Sequence, residues 1–483
     1  MLTGLDYVVL VVYLVGVLGF GLWAGGRQQT TTDYFLGGRD LPWWAVLFSI
    51  VATETSTLTV IGVPAVAYGG SLLFLQLTFG FLLGRIAVAV LLLPRYFDGE
   101  QVTAYAFLGA RFGPRMQVAA SLTFMGTRLL ADGVRLFATA IPLKVIAAAA
   151  GLEVSYAAII VAIGLVTVAY TFVGGIKAVV WMDVVQMGVY VGGALLAVGL
   201  LLGDVPGDWW ATARAAGKTQ IIDLGFDLPF DEWVATPYTL VVAVLGGAFF
   251  SAASHGADQL VVQRLLACRS LRDGQRALVG SGIAVVGQFA LFLLVGLLLW
   301  SYYGGADLAD LGLSRGDEVF PKFIVEAMPA GLAGLLLAGI VAAAMSTLSS
   351  SLNALASSTV LDLRGARRTP RSEEDDLRLS RWATLGWGVG LMGFAALFES
   401  MTDPVVELGL GIASFTYGGL LGAFLLGLVS RRAQQREALV AYAVTLVALG
   451  VGVQTGGLAW PLYTAAGAGL TVALGTLLGL RHR

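Results

Sequence analysis

Residues 334–363 read GLLLAGIVAAAMSTLSSSLNALASSTVLDL, an apolar stretch with a run of hydroxyl side chains at its centre. It exceeds the roughly 20 residues that a helix needs to cross the hydrocarbon core of a bilayer. The hydroxyls belong to Ser346, Thr347, Ser349, Ser350 and Ser351. A helix that faces only lipid needs none of them, so the stretch predicts a membrane-spanning helix with a polar task.

The whole chain has the same apolar character. Of its 483 residues, 57% are hydrophobic and 12% are charged, whereas soluble domains carry about 25% charged residues. The mean hydropathy is +0.83. Apolar segments of about 20 residues recur along the whole length, without the alternating pattern of a membrane barrel. The sequence therefore predicts an all-α polytopic membrane protein.

The apolar segments predict about 13 transmembrane helices. They lie near 5–25, 43–68, 71–94, 116–149, 155–173, 179–202, 237–266, 275–302, 330–361, 379–398, 403–429, 437–456 and 460–480. If the N-terminus is outside and the C-terminus inside, most of the 29 Lys and Arg residues fall in inner loops, as the positive-inside rule requires. We therefore expect a multi-pass protein of the cell inner (cytoplasmic) membrane.

Several classes of function are disfavoured by composition. One cysteine, Cys268, and two histidines, His255 and His482, leave little for a metal centre or a catalytic triad. No phosphate-cradling loop is found, and a net charge of -2 gives no sign of nucleic-acid binding. We expect no enzymatic activity and no cofactor, with the lipid bilayer as one partner and the monomer as the functional unit.

Ionisable residues inside membrane spans indicate function, because burying them in a bilayer costs several kcal/mol. Glu54 and Asp183 are such residues, and neither has a basic residue within one helical turn. Arg128, Asp132 and Arg135 lie on one helix at spacings of four and three, so they can neutralise one another locally. For that group, pairing and function stay equally open.

The hydroxyls of the opening stretch suit a small cation. On a helix, Ser346, Ser349 and Ser350 share one face, with Thr347 at its edge. Neutral oxygens can replace the water of a small hard cation, as carbonyls do in channel filters, and sodium fits such a mostly neutral site. The alternative is that each serine bonds the preceding helical turn or a neighbouring helix.

A second polar stretch, ATETSTLT at residues 52–59, lies where the second span should be most apolar. Its Thr and Ser side chains compete for backbone hydrogen bonds and so favour a locally unwound helix. Secondary transporters use such breaks near the membrane midplane to expose carbonyls to cations and helix ends to solutes.

Four stretches resemble the sodium/solute symporter family, which includes bacterial proline, sialic acid and galactose transporters. They are DYFLGGR (33–39), GGIKAVVWMDVVQ (174–186), HGADQLVVQRLLACRSLRDGQRAL (255–278) and the opening stretch. The resemblance implies one transporter domain with a five-plus-five inverted-repeat (LeuT-like) core. The repeats then occupy 43–202 and 237–429, after an extra helix within 1–30 and before two helices within 437–483.

The resemblance also implies the ion sites. The main sodium site would take carbonyls of Ala52, Thr55 and Ala343 and hydroxyls of Ser346 and Thr347. Some members have a second sodium site, whose matching residues here are Asp183, Ser346, Ser349 and Ser350. One or two sodium ions per cycle are therefore both possible, with sodium as the coupling ion.

A solute pocket is expected between the broken helix and spans 3, 7 and 11. Its candidate residues are Glu54, Ser56, Thr59, Gln76, Thr78, Ser254, His255 and Phe415. Hydroxyl, amide, imidazole and carboxylate groups together suit a small polar solute, whether sugar, amino acid or carboxylate. The predicted function is a sodium-coupled symporter that imports this solute by alternating access. A proton-coupled transporter and a solute sensor are the alternatives. A sensor should carry an output domain, and we expect none from this sequence.

Overall fold

The computed structural model describes residues 2–99, 101–149, 151–364, 372–397 and 405–481, and helices dominate these ranges. The first half contains α1 (Gly4–Gly25), α2 (Thr31–Leu36), α3 (Trp43–Glu54), α4 (Thr57–Gly69), α5 (Leu75–Leu91), α6 (Leu93–Asp98), α7 (Ala104–Phe112), α8 (Pro114–Ala149), α9 (Tyr156–Asp204) and α10 (Trp209–Ala215). The second half contains α11 (Phe230–Ala235), α12 (Leu240–Gly256), α13 (Gln259–Leu266), α14 (Leu271–Tyr302), α15 (Val319–Glu326), α16 (Leu332–Ser357), α17 (Glu373–Ala396), α18 (Val405–Val429), α19 (Gln435–Thr455) and α20 (Leu462–Gly479). Within the described ranges, the one strand-like contact is a bridge between Leu41 and Cys268.

The apolar helices confirm an all-α protein that spans a membrane. Among the described residues, 8 helical segments are long and apolar enough to cross a bilayer, and the bent pair α3–α4 makes up to 9. Helix α8 carries the Arg128 group, and α17 begins with four acidic residues. The count of about 13 spans stays a prediction.

Two spans are broken, and one of the breaks was expected. Helix α3 ends at Glu54 and α4 begins at Thr57 after extended backbone at Thr55, with a bend of 66° between the two helices. The unwinding predicted for residues 52–59 is therefore confirmed. Helix α12 ends at Gly256, and α13 begins at Gln259 with Asp258 as its cap.

The predicted spans 155–173 and 179–202 correspond to the two helical parts of α9, which meet at a kink. The change of direction is made at Gly175, whose φ of 54° lies in the left-handed region. A side chain there would meet the backbone of Tyr34, so only glycine fits both the conformation and the close approach.

Helix α16, which carries the hydroxyl run, lies at the centre of the molecule. All but two of its residues are buried, and it packs against α9, α1, α8 and α17. Its N-terminus is held by Asp6 of α1, which accepts hydrogen bonds from the backbone N–H groups of Gly331 (2.7 Å) and Gly334 (2.8 Å). The hydroxyls therefore face protein and not lipid.

Candidate functional site

The break between α3 and α4 lies directly against α16. On one side of the break, the hydroxyls of Thr53 and Ser350 lie 3.0 Å apart. On the other side, Thr57 donates to the carbonyl of Ile340 at 3.2 Å. These two contacts bracket residues 340–350 of α16, the segment that contains Ala343, Ser346 and Thr347. The break and the hydroxyl run thus form one site.

The oxygens implied for the main sodium site are buried at this junction. The Thr55 side chain donates to the carbonyl of Val51 at 2.8 Å, and its own carbonyl lies beyond the last turn of α3. Carbonyls at a helix end lack the donors that a continuing helix would supply, so they can bind a cation. Thr347 donates to the carbonyl of Ala343 at 3.2 Å, and both residues are buried. Their role as sodium ligands stays a prediction.

Asp183 lies beside this junction and is paired with Arg264 of α13. One carboxylate oxygen accepts from Ser346 (2.6 Å), and the other accepts from Ser49 (2.5 Å) and Arg264 (3.2 Å). The Arg264 guanidinium also donates to Ser49 (2.8 Å), to the carbonyl of Leu260 (2.6 Å) and to the hydroxyl of Ser350. Asp183 and Arg264 are both fully buried. Buried charges need this degree of pairing, because an unpaired one costs several kcal/mol.

Arg264 therefore occupies the position where a second sodium ion was expected. The guanidinium contacts two of the implied ligands, Asp183 and Ser350. Ser349 instead donates to the carbonyl of Ser346 at 3.1 Å, within its own helix. A second sodium ion would have to displace the guanidinium before it could bind these oxygens.

Glu54 forms a second ion pair, with the buried Arg85 of α5. Arg85 is fully buried and donates to one Glu54 oxygen and to the hydroxyl of Ser281 (2.7 Å). The Glu54 side chain is 23% exposed, and its Oε2 also lies 3.7 Å from Nε2 of His255. The structure thus joins Glu54 and His255, two predicted solute residues, and adds an arginine that the sequence analysis had not assigned.

The other predicted solute residues are placed as follows. Ser254 lies next to His255, with its hydroxyl 2.8 Å from Nδ1. Gln76 is bound to the outer loop, donating to the carbonyl of Tyr238 (2.8 Å) and accepting from the N–H of Asp223 (3.2 Å). Nine residues separate Gln76 from Arg85, which is about 13 Å along a helix.

Among the remaining predicted solute residues whose side chains the structure describes, none is hydrogen-bonded to Glu54. Ser56 is buried at the start of α4, Thr59 is half-buried, and Thr78 donates to the carbonyl of Leu75 at 2.7 Å. Phe415 falls within α18, but its side chain lies outside the described residues. Their role in solute binding stays a prediction.

The Arg128 group pairs both locally and across helices. Asp132 lies 3.5 Å from Arg128 and 3.3 Å from Arg135, as the helical spacing predicts. Arg128 also pairs with Asp258 at 3.1 Å and donates to Tyr417 at 2.5 Å. The group thus ties α8 to the break before α13 and to α18, which a purely local reading had not indicated.

Sequence reasoning missed Arg85 and Arg264, although signals for both were present. Each arginine lies within a predicted apolar span, 71–94 or 237–266, where an unpaired charge is costly. Two carboxylates and two guanidiniums inside the membrane, none with a partner close in sequence, indicate pairing across helices without specifying which pairs form.

The comparisons with known proteins agree with this architecture. A family model described as the sodium:solute symporter family matches residues 34–444. The sodium/sialic acid symporter SiaT of Proteus mirabilis is 30% identical over 92% of this chain and 88% of its own length. The human sodium/iodide cotransporter is 31% identical over 88% of this chain and 65% of its own length.

Two solved transporter structures have a fold similar to that of this chain. A structure of a Na⁺-coupled sialic acid symporter, described as substrate-bound and outward-open with a novel Na⁺ site, aligns with a TM-score of 0.87. It covers 99% of this chain and 98% of its own, at 28% identity. Mhp1, a nucleobase-cation-symport-1 family transporter, aligns at a TM-score of 0.56 and 15% identity, which concerns the fold alone.

A broken membrane helix against a buried hydroxyl run, in a chain whose relatives are symporters, defines a sodium-coupled membrane transporter and not an enzyme. The chain belongs to the sodium:solute symporter family.

Proposed function

We propose that the protein imports a small polar organic solute together with sodium by alternating access. The observation that carries this proposal is the junction of the α3–α4 break with the Ser346–Thr347 segment of α16, bracketed by the Thr53–Ser350 and Thr57–Ile340 contacts. In this proposal, sodium binds carbonyls of Ala52, Thr55 and Ala343 and the hydroxyls of Ser346 and Thr347. An ion shared by α3 and α16 then couples sodium binding to the relative position of these two helices.

The number of sodium ions, one or two, depends on Arg264. While its guanidinium pairs with Asp183, the positive charge at the second site is already supplied. Two ions per cycle require Arg264 to leave Asp183 and to find another partner. The charge moved per solute, measured by solid-supported membrane electrophysiology with parallel tracer uptake, distinguishes these stoichiometries.

The remaining parts of the proposal concern architecture and location. We propose about 13 spans with the five-plus-five inverted repeat, the N-terminus outside and the C-terminus inside, in the cell inner membrane. The two helix breaks, in α3–α4 and α12–α13, support the repeat because they fall in corresponding positions of its two halves. The monomer contains both breaks and is proposed as the functional unit.

Proton coupling is the second candidate, with Glu54 or Asp183 as the carrier. Each of these carboxylates is paired with a fully buried arginine. Protonating either one would leave a buried guanidinium without its counter-ion, which is costly. The structure therefore gives sodium coupling the stronger support.

The test is tracer uptake into proteoliposomes that contain the purified protein. The tracers are galactose, N-acetylneuraminate, alanine, lactate, propionate and iodide, each supplied with an inward gradient of sodium or of potassium. We expect uptake driven by sodium alone and unaffected by a protonophore when the membrane potential is clamped. Uptake that persists without sodium and follows the proton gradient would favour proton coupling.

A further inference from the structure

We infer that the Glu54 carboxylate and Nε2 of His255 form a pair of hydrogen-bond acceptors that receives O–H or N–H groups of the transported solute. This inference rests on the proposed symport function and deepens it by specifying the chemistry of the solute. It places the donor-binding residues at the ends of two broken helices, with Arg85 as the residue that positions Glu54.

The acceptor pair lies between the two breaks. Glu54 is the last residue of α3, and His255 is the next-to-last residue of α12. Glu54 Oε2 and His255 Nε2 are 3.7 Å apart, although the two residues are about 200 positions apart in the chain. Discontinuous helices place solute groups at such ends in secondary transporters.

The hydrogen bonds of His255 determine what Nε2 can do. Its Nδ1 lies 3.1 Å from the carbonyl of Ser251 and 2.8 Å from the hydroxyl of Ser254. A carbonyl only accepts, so the hydrogen is on Nδ1, and in the neutral ring Nε2 is an acceptor. A cationic ring would add a second positive charge beside Arg85, with a single carboxylate to balance both. We therefore take the ring as neutral.

Two acceptors face each other here without a donor between them. Nε2 of His255 is buried and has no hydrogen-bond partner among the described residues, and the side chain is 2% exposed. Arg85 donates to Oε2 of Glu54 and holds the carboxylate in place, while the described residues supply no donor to Oε1. Buried polar atoms are nearly always satisfied, so this arrangement calls for a donor from outside the chain.

The position of Arg85 limits the solutes that fit. Its charge is already balanced by Glu54, and its side chain is fully buried. Nε of Arg85 has no partner among the described residues, but the Glu54 carboxylate balances the guanidinium charge, so the pair offers acceptors and no net positive charge to an anion. Hydroxyl and ammonium groups are suitable ligands for it, whereas iodide and simple carboxylates carry no donor that it could receive.

The experiment uses three probes with one carbon skeleton. Propionate, lactate and alanine differ at the second carbon, which carries hydrogen, a hydroxyl or an ammonium group. Galactose represents polyols, and iodide represents anions without donors. We measure sodium-driven uptake of each into proteoliposomes and expect at least one donor-bearing probe to exceed propionate and iodide by about tenfold or more, as a hydrogen bond to a charged group allows. Comparison of lactate, galactose and alanine separates hydroxyl from ammonium recognition.

Two variants then test the acceptors. Glu54→Gln replaces a carboxylate oxygen by a donor, and His255→Asn retains a group near Nδ1 but removes Nε2. Each should raise the half-saturating concentration of the preferred probe about tenfold, leaving that of sodium unchanged. Glu326→Gln, the same chemical change on a glutamate in the outer helix α15, serves as the control.

The outcomes separate this inference from the proposed function. Equal or better uptake of propionate or iodide, with sodium dependence intact, overturns the inference alone, as does an unchanged half-saturation in both variants. Sodium-independent uptake of every probe, or no uptake of any probe, contradicts the proposed function as well. If a variant fails to fold, two measurements still test the inference. One is the wild-type ranking of the three-carbon probes. The other is uptake by His255→Gln, which restores an acceptor near Nε2.

Discussion

Two of the carboxylate–arginine pairs that the structure describes, Asp183–Arg264 and Glu54–Arg85, differ in how many of their polar atoms have hydrogen-bond partners. Asp183 accepts three hydrogen bonds, and Arg264 donates to four partners, so that pair is saturated and fully buried. The pair of Glu54 and Arg85 is partly exposed, and both Nε of Arg85 and Nε2 of the adjacent His255 lack partners. A saturated pair holds helices together, whereas an unsaturated pair leaves atoms available for a ligand.

Removing the arginine from each pair should give the largest difference in stability between the two pairs. Arg264→Ala leaves Asp183 buried without a counter-ion, which costs about 3–5 kcal/mol. Arg85→Ala should cost less, because Glu54 is 23% exposed and can be hydrated. Thermal unfolding of both variants in detergent checks the difference.

The control for this comparison neutralises the saturated pair as a whole. Asp183→Asn combined with Arg264→Gln removes both charges and should recover part of the stability lost in Arg264→Ala. Equal losses of stability for Arg264→Ala and Arg85→Ala would contradict the distinction between the pairs.

Substituting a proposed sodium ligand should have a smaller effect, confined to the sodium dependence of uptake. Thr347→Ala removes one implied ligand without touching either ion pair, so half-saturation by sodium should rise about tenfold, the loss of one charge–dipole contact. Ser346→Ala is less informative because Ser346 also bonds Asp183. Uptake is measured against sodium concentration, with Ser357→Ala on the same helix as control. Identical sodium dependence in Thr347→Ala and wild type would remove Thr347 from the site.

Neutralising a carboxylate in the outer loop should have the smallest effect on stability. Burial raises the pKa of Asp317, which lies against Gly62 of α4, and nearby Arg315 offsets part of that shift. The folded protein then binds this proton more tightly than the unfolded chain, so the contribution to stability is present at low pH and is lost as pH rises through the raised pKa.

Asp317→Asn should therefore raise the unfolding temperature slightly at pH 7, by the equivalent of about 1 kcal/mol or less, and the gain should shrink toward pH 4. The measurement is thermal unfolding across this pH range, with the exposed Asp310→Asn as control. A gain that stays constant with pH would show that the Asp317 carboxylate is not strained by burial.

The sequence predicted those features that depend on local chemistry. The Thr- and Ser-rich residues 52–59 indicated the break in the second span, and the hydroxyl run indicated a buried polar helix. Both follow from which residues tolerate an unwound or a lipid-shielded backbone. The family resemblance then supplied ion-site residues that share the junction between α3 and α16.

The sequence did not predict the partners of the buried carboxylates. Glu54 and Arg85 are 31 residues apart, and Asp183 and Arg264 are 81 apart, so no local spacing rule connects them. The spans expected at 155–173 and 179–202 meet at a kink at Gly175, within the gap that the sequence left between them. Such pairings depend on how helices pack, which a single sequence does not specify.

The most direct test of the account compares Glu54→Gln and Asp183→Asn in the same uptake assay, titrating solute and sodium in turn. Glu54 is assigned to the solute, whereas Asp183 accepts a hydrogen bond from Ser346, a proposed sodium ligand. We therefore predict that Glu54→Gln raises the half-saturating solute concentration and leaves that of sodium unchanged, while Asp183→Asn changes the sodium dependence and the charge moved per solute. The reverse pattern, or the same change in both variants, would contradict the account.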